Sequence, residues 1–318
     1  MEFFKRTPNI DFLGKRRYTY IISTILMVGS FLLIALRGLN LGIDFTGGVV
    51  VEVSYPGVAD HDRAREALAA AGFPDAQVQS FGTSRDLAVR VEAPDDVDER
   101  GAPLVNQVGQ RIQEALQKAD PGVQVRRTEV VGPQVGRDLT EQGGLALLFT
   151  FIGILMYVGF RFEKKMAAGT VLAATHDPIV ILGFFAATQM TFDLSVLAAV
   201  LAVIGYSIND TVVVFDRVRE VLLGTRKGTS NKDMLNLAVN QTLSRTLMTS
   251  FSVLFVVLSL YFFGGETLKG FSIAIIVGVL IGTYSSIFVA ASLAYDMKLK
   301  PQDLMEIKKS DPELDALP

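Results

Sequence analysis

Asp210 is the residue in this sequence whose chemistry is hardest to explain as structure alone. It sits in Tyr206-Ser207-Ile208-Asn209-Asp210-Thr211, after a wholly apolar run that starts at Leu194. An ionisable side chain in such a run costs ~2.5–3.5 kcal/mol on insertion scales, so it faces a bundle interior or a water path. Loss of solvent disfavours a charged carboxylate and a nearby cation favours it. A carboxyl held between these influences is poised to exchange protons. The alternative is a protonated Asp that ties helices together, or one that reaches out to water. Ser207, Asn209 and Thr211 are accessory polar groups on the same helix.

Two further places invite chemistry. Arg245, in Leu243-Ser244-Arg245-Thr246, opens the next apolar stretch. Antiparallel neighbours put the start of one span at the depth of the other's end, so Arg245 can meet Asp210 in height. Arg keeps its charge at any working pH. It serves equally well as an anchor that snorkels to the membrane surface. His176-Asp177-Pro178 lies near the middle of a third apolar stretch. Pro178 removes a backbone donor and can kink the helix, admitting water. His176 or Asp177 then passes protons, or the two form a self-satisfied pair bracing the kink.

The elements that must hold these groups are membrane spans. Six apolar segments occur, at 18–36, 144–160, 167–187, 194–215, 246–263 and 271–294. About 20 helical residues cross a hydrocarbon core of roughly 30 Å, so each is long enough to span. The first reads as an uncleaved anchor, because 36–39 offers no small-x-small cleavage site. Lys and Arg set orientation: 18 lie in 1–17, 161–166, 216–245 and 295–318, against Lys269 alone in the opposing loops 188–193 and 264–270. Both termini are therefore expected in the cytoplasm, as the tail 295–318, with 37–142 outside. Asp216, Arg217, Arg219 and Glu220 read as an ion-paired surface patch, and Gly278 with Gly282 as a helix-packing face.

Composition agrees with a membrane protein and excludes other classes. Half of the 318 residues are hydrophobic, and the 20% that are charged cluster outside the apolar runs, which excludes a soluble enzyme. A net charge of −3 without a basic stretch gives no nucleic-acid footprint. With no cysteine there is no disulfide framework, thiolate metal site or thiol nucleophile. No cofactor or metal is expected; protons are the coupling ion.

Segment 37–142 holds 17 acidic and 11 basic residues and is water-soluble in character. Strands are expected at 49–53, 76–81, 87–91 and 123–131, with helices at 60–70 and 98–119. The order βαββαβ is ferredoxin-like. The fold class is thus a polytopic α-helical membrane protein: six transmembrane helices, with one extracytoplasmic α+β domain between helices 1 and 2. His61 stands alone there.

Several stretches carry a resemblance. Gly42-Ile43-Asp44-Phe45-Thr46-Gly47-Gly48, Val131-Gly132-Pro133-Gln134-Val135-Gly136, His176-Asp177, Gly205 to Thr211 with Phe215-Asp216-Arg217, and Gln241-Thr242-Leu243-Ser244-Arg245-Thr246 resemble signatures of SecF members of the SecD/SecF family. These are protein-export membrane subunits of the resistance–nodulation–division superfamily. The resemblance covers about residues 1–300. It implies a bacterial inner-membrane protein that is not an enzyme and uses the proton-motive force. Its implied partners are SecD, the SecYEG translocon, SecA indirectly, and unfolded preproteins. It also implies that Asp210 and Arg245 take part in proton passage. The alternative is half of a proton-coupled small-molecule exporter of the same superfamily, a class that usually has larger outer domains. An intramembrane aspartyl protease would carry a Gly-x-Gly-Asp stretch, which 207–210 lacks.

Overall fold

A computed structural model describes residues 7–92, 105–224 and 229–304. The first span, α1 (Arg16–Arg37), ends at Gly38, whose positive φ of 68° stops the helix and satisfies the Ile34 carbonyl. After a short helix α2 (Ile43–Thr46) the chain enters a four-stranded sheet. Its elements are β1 (Gly48–Ser54), α3 (His61–Ala70), β2 (Gln77–Ser80), β3 (Asp86–Val91), α4 (Val105–Ala119) and β4 (Gln124–Val131). The expected start of α4 at 98–104 lies outside the described residues.

The sheet order β2-β3-β1-β4, with every pairing antiparallel, is the ferredoxin-like arrangement. Period-two alternation explains it: Val49, Val51 and Val53 are fully buried beneath the helices, while Val50 and Glu52 face the other way. Leu68 of α3 and Ile112 and Leu116 of α4 close this core with Leu87 and Val89. Asp60 caps α3 by accepting from the Asp62 and Arg63 amides at 3.0 and 3.2 Å. His61 is not isolated, since its Nε2 lies 2.9 Å from the Ser80 hydroxyl.

Five long elements follow: α5 (Pro133–Arg161), α6 (Lys164–Thr188), α7 (Leu194–Gly224), α8 (Asn231–Phe263) and α9 (Lys269–Tyr284). The last continues through a π-helical stretch, Ser285–Ala290, into α10 (Ala291–Asp296). A short α11 (Pro301–Leu304) follows. Together with α1 these make six helices long and apolar enough to cross a membrane. More than half of the apolar stretch is buried in α6, α7 and the α9–α10 span, against 17% in α1, α5 and α8. The first three are therefore the centre of the bundle, and the other three its outer wall.

Two cores fill the bundle. One, near the chain termini, gathers Leu13, Met166, Phe215, Leu235 and Ala290; the other, towards the sheet, gathers Phe185, Phe192, Val200, Val203 and Ile204. The α9 backbone comes close to α7 at Gly278, where a methyl would collide with Val203.

The sheet domain is tied into the bundle by the Gly-rich segment. Gly47 and Gly48 have φ of +70° and +136°; a Cβ would come within 2.9 Å of Pro133 Cα at the first and 2.5 Å of the Val91 carbonyl at the second. Only glycine fits both demands, so the pair turns the chain from α2 into β1 against the start of α5. The preceding residues pair with the α6–α7 loop: the Phe192 amide donates to the Asn40 carbonyl and the Gly42 amide to the Phe192 carbonyl, both at 2.8 Å.

Candidate functional site

Asp210 is buried, with 4% of its surface exposed, and both its oxygens are taken by hydroxyls. Thr246 of α8 donates to Oδ1 at 2.8 Å, and Ser286 of the π-helical stretch donates to Oδ2 at 2.7 Å. Both donors are themselves fully buried. Three spans thus converge on one carboxyl group.

Arg245 does not join them. Among the described residues no ion pair links it to Asp210, and it is exposed on the outer face of α8. Successive helical side chains point ~100° apart, so the residue after Arg245 turns inward. The depth expected from antiparallel packing is met, but Thr246 makes the contact.

His176 and Asp177 form a second polar centre on α6. His176 Nδ1 lies 3.0 Å from Asp177 Oδ1. Asp177 Oδ2 accepts from the Ser207 hydroxyl of α7 and, at 2.9 Å, from the Ser285 hydroxyl. Asp177 has no exposed surface, and α6 passes unbroken through Pro178. Among the described residues, His176 Nε2 is buried without a hydrogen-bond partner. The imidazole stands 6.3 Å from the Tyr284 ring, whose hydroxyl donates to the Thr19 carbonyl at 2.8 Å and lies 3.0 Å from the Ser23 hydroxyl.

The accessory residues divide. Ser207 serves Asp177 and not Asp210, Thr211 returns its hydroxyl to the Ser207 carbonyl at 3.0 Å, and Asn209 is exposed on the outer side of α7. Two participants escape sequence reasoning, Thr246 and the Ser285-Ser286 pair. A signal for the second is present, since Thr283-Tyr284-Ser285-Ser286 is a polar run inside an uncharged span. A third polar link crosses the same layer: the Tyr206 hydroxyl is 2.8 Å from that of Ser250, which is 2.7 Å from that of Thr283.

At the sheet end, the start of α7 is held by two carboxylates. Asp193 accepts from the Val196 amide at 2.9 Å, and Asp44 of α2 reaches across to accept from the Leu194 amide at 3.0 Å. Negative charge at a helix N-terminus complements its dipole. Asp44 therefore joins the glycine-rich segment directly to the helix that carries Asp210. At the other end, Arg161 of α5 pairs with Asp216, and Arg217 with Glu220.

Comparison with known proteins bears on the chain as a whole. Residues 111–300 match the family described as protein export membrane protein SecD/SecF, C-terminal, and residues 32–55 match the SecD/SecF GG motif. The protein translocase subunit SecF of Pseudomonas aeruginosa is 45% identical over 307 residues, covering 95% of this chain and 96% of that protein. SecF of Escherichia coli O157:H7 is 42% identical over 298 residues, covering 94% and 91% respectively. A crystal structure of SecDF from Thermus thermophilus, described as a translocon-associated membrane protein, superposes with a TM-score of 0.80 at 32% identity. It is similar over 92% of this chain, which spans 39% of the SecDF chain.

Proposed function

The chain belongs to the SecF side of the SecD/SecF family, and from that premise we propose that it couples the proton-motive force to preprotein translocation. Its partner is SecD, and the pair assists the SecYEG translocon and, indirectly, SecA by drawing unfolded preproteins outward. It resides in the bacterial inner membrane as a transport subunit and not an enzyme. Both termini are cytoplasmic, in keeping with 18 Lys and Arg on that side.

The observation that carries this reading is Asp210: a carboxyl group deep among helices, held by neutral hydroxyls and, among the described residues, by no cation in contact. Neutral donors leave both of its protonation states open. An ionised carboxylate accepts only, while a protonated one must donate from one oxygen. Thr246 and Ser286 both donate now, so proton uptake forces one hydroxyl to turn. Ser286 has another acceptor ready, the Thr283 carbonyl at 3.2 Å. The turn loosens the junction of α7, α8 and the π-helical stretch.

Movement of α7 reaches the outer domain through Asp44, which holds the Leu194 amide and lies three residues before the Gly47-Gly48 turn into β1. One charge crossing 100 mV releases ~2.3 kcal/mol, comparable to the hydrogen bonds being exchanged. Arg245 acts from the outer face of α8. A charged group exposed at that depth is expensive in lipid, so the SecD subunit covers it, together with Asn209. Arg245 then completes the relay at the subunit boundary, as the family resemblance implies.

Asp210→Asn in a reconstituted SecD/SecF pair is the test. Proton flux falls to the level of protein-free vesicles if Asp210 is the relay; flux equal to wild type removes it.

A further inference from the structure

Ser285 and Ser286 are neighbours in sequence, yet they serve two different carboxylates. Ser285 donates to Asp177 at 2.9 Å and Ser286 to Asp210 at 2.7 Å. They open the π-helical stretch, a wider turn that is frequent at functional sites. Each hydroxyl has a second acceptor on its own helix, the Gly282 carbonyl at 3.1 Å for Ser285 and the Thr283 carbonyl at 3.2 Å for Ser286. A serine has one hydrogen to give, so each must choose between a carboxylate and the backbone.

The Asp177 end holds more than a structural tie requires. Asp177 takes three partners, whereas His176 Nε2, in a side chain only 4% exposed, has none. A buried polar atom left unpaired is costly, and a purely structural pair would avoid that cost. With Nδ1–H donating to Asp177, Nε2 is a bare lone pair, and that is a vacant position for a proton.

We propose that His176 and Asp177 form a second proton-holding site in this chain, coupled to Asp210 through the hydroxyls of Ser285 and Ser286. The inference rests on the reading of Asp210 as a proton site and adds a second one behind it. The steps balance simply. A proton from water binds Asp210, the new O–H donates to Ser286 Oγ, and the Ser286 hydrogen turns to the Thr283 carbonyl. A proton from water binds His176 Nε2, giving an imidazolium beside the Asp177 carboxylate. While Asp210 is anionic it favours that imidazolium; once neutral it does not. The titratable and charged groups inside the bilayer on the elements packed against the pair are Tyr18 and Tyr20 on α1, Tyr157 on α5, Tyr206 and Asp210 on α7, and Tyr284 on α9. Arg245 lies beyond them, on α8. Of these, Tyr284 stands beside the imidazole and Asp210 connects through the serine pair.

The chain has two histidines, so His61→Gln leaves His176 alone. That variant, labelled with ¹⁵N in the imidazole, is assembled with unlabelled SecD in lipid vesicles, and the Nε2 resonance is followed as pH is stepped. The expected result is a pH-dependent Nε2 signal. At a fixed pH within that change, the ratio of protonated to neutral His176 falls roughly threefold or more in Asp210→Asn. In a Ser285→Ala/Ser286→Ala background the drop shrinks, because the hydroxyl path is gone and only the through-space effect of the Asp210 charge remains. A silent Nε2, a ratio indifferent to Asp210→Asn, or an undiminished drop without the serines overturns the proposal. Proton flux, measured on the same vesicles, separates the two readings: flux that survives Asp210→Asn defeats the relay, whereas the nitrogen signal alone decides the second site.

Discussion

At the scale of single residues, two aspartates show how environment assigns a role. Asp11, on the N-terminal segment, bonds Lys232 Nζ at 2.7 Å, Asn236 at 2.8 Å and the Gly14 amide at 2.8 Å. The Lys232 contact first, then the Asn236 and Gly14 bonds, hold its carboxyl down to about 2. It is a strap between the N-terminal segment and α8 that stays charged at neutral pH. Among the described residues Asp210 has only hydroxyl partners and therefore suits a change of state. The sign for Asp11 follows from its lowered folded value: its contribution is fully present above the unfolded carboxylate range and is lost as pH falls towards 2. Thermal unfolding of wild type and Asp11→Asn should differ at pH 6, and the gap should narrow steadily below pH 4. A gap that widens on acidification would contradict the strap. Asp210 was legible in the sequence because a lone acid in an apolar run stands out. The partnership with Thr246 was not, because depth can be counted from a span's end while the direction of a side chain around the helix cannot.

At the scale of elements, the decisive pieces are the π-helical stretch and the capped start of α7. The six spans could be read because an apolar run of bilayer length matches the hydrocarbon thickness and little else in a folded chain. The sheet could be read because Val49, Val51 and Val53 alternate with half-exposed residues. The helices run past those runs: α5 begins at Pro133 and α8 at Asn231, in polar sequence that a hydropathy window averages away. A π-helical register has no composition of its own, so the sharing of Ser285 and Ser286 between two acids appears only in three dimensions. Asp44 belongs to the same group, since nothing in its spacing names Leu194 as its partner. Loss of that cap in Asp44→Ala should cost about 0.5–2 kcal/mol locally. Because Asp44 links α7 to the outer domain and touches no part of the Asp210 site, proton flux should persist while proton-driven preprotein release falls. Equal loss of both activities, or of neither, would show that the link is not the transmission.

At the scale of the whole molecule, one polar layer lies where two apolar cores meet, and the sheet domain is fastened to the bundle through the α6–α7 loop. A charge change in that layer has no bulk water to absorb it, so packing must answer. The exposed Arg245 and Asn209 mark the outer side of the same layer, the side that the proposed function gives to the SecD subunit. The most direct measurement is infrared difference spectroscopy of the SecD/SecF pair in oriented membranes, comparing the carboxyl stretching region before and after a proton gradient is imposed. The account predicts a protonated-carboxyl band that grows with the gradient and vanishes in Asp210→Asn. A spectrum in which the gradient changes no band that depends on Asp210 would contradict it.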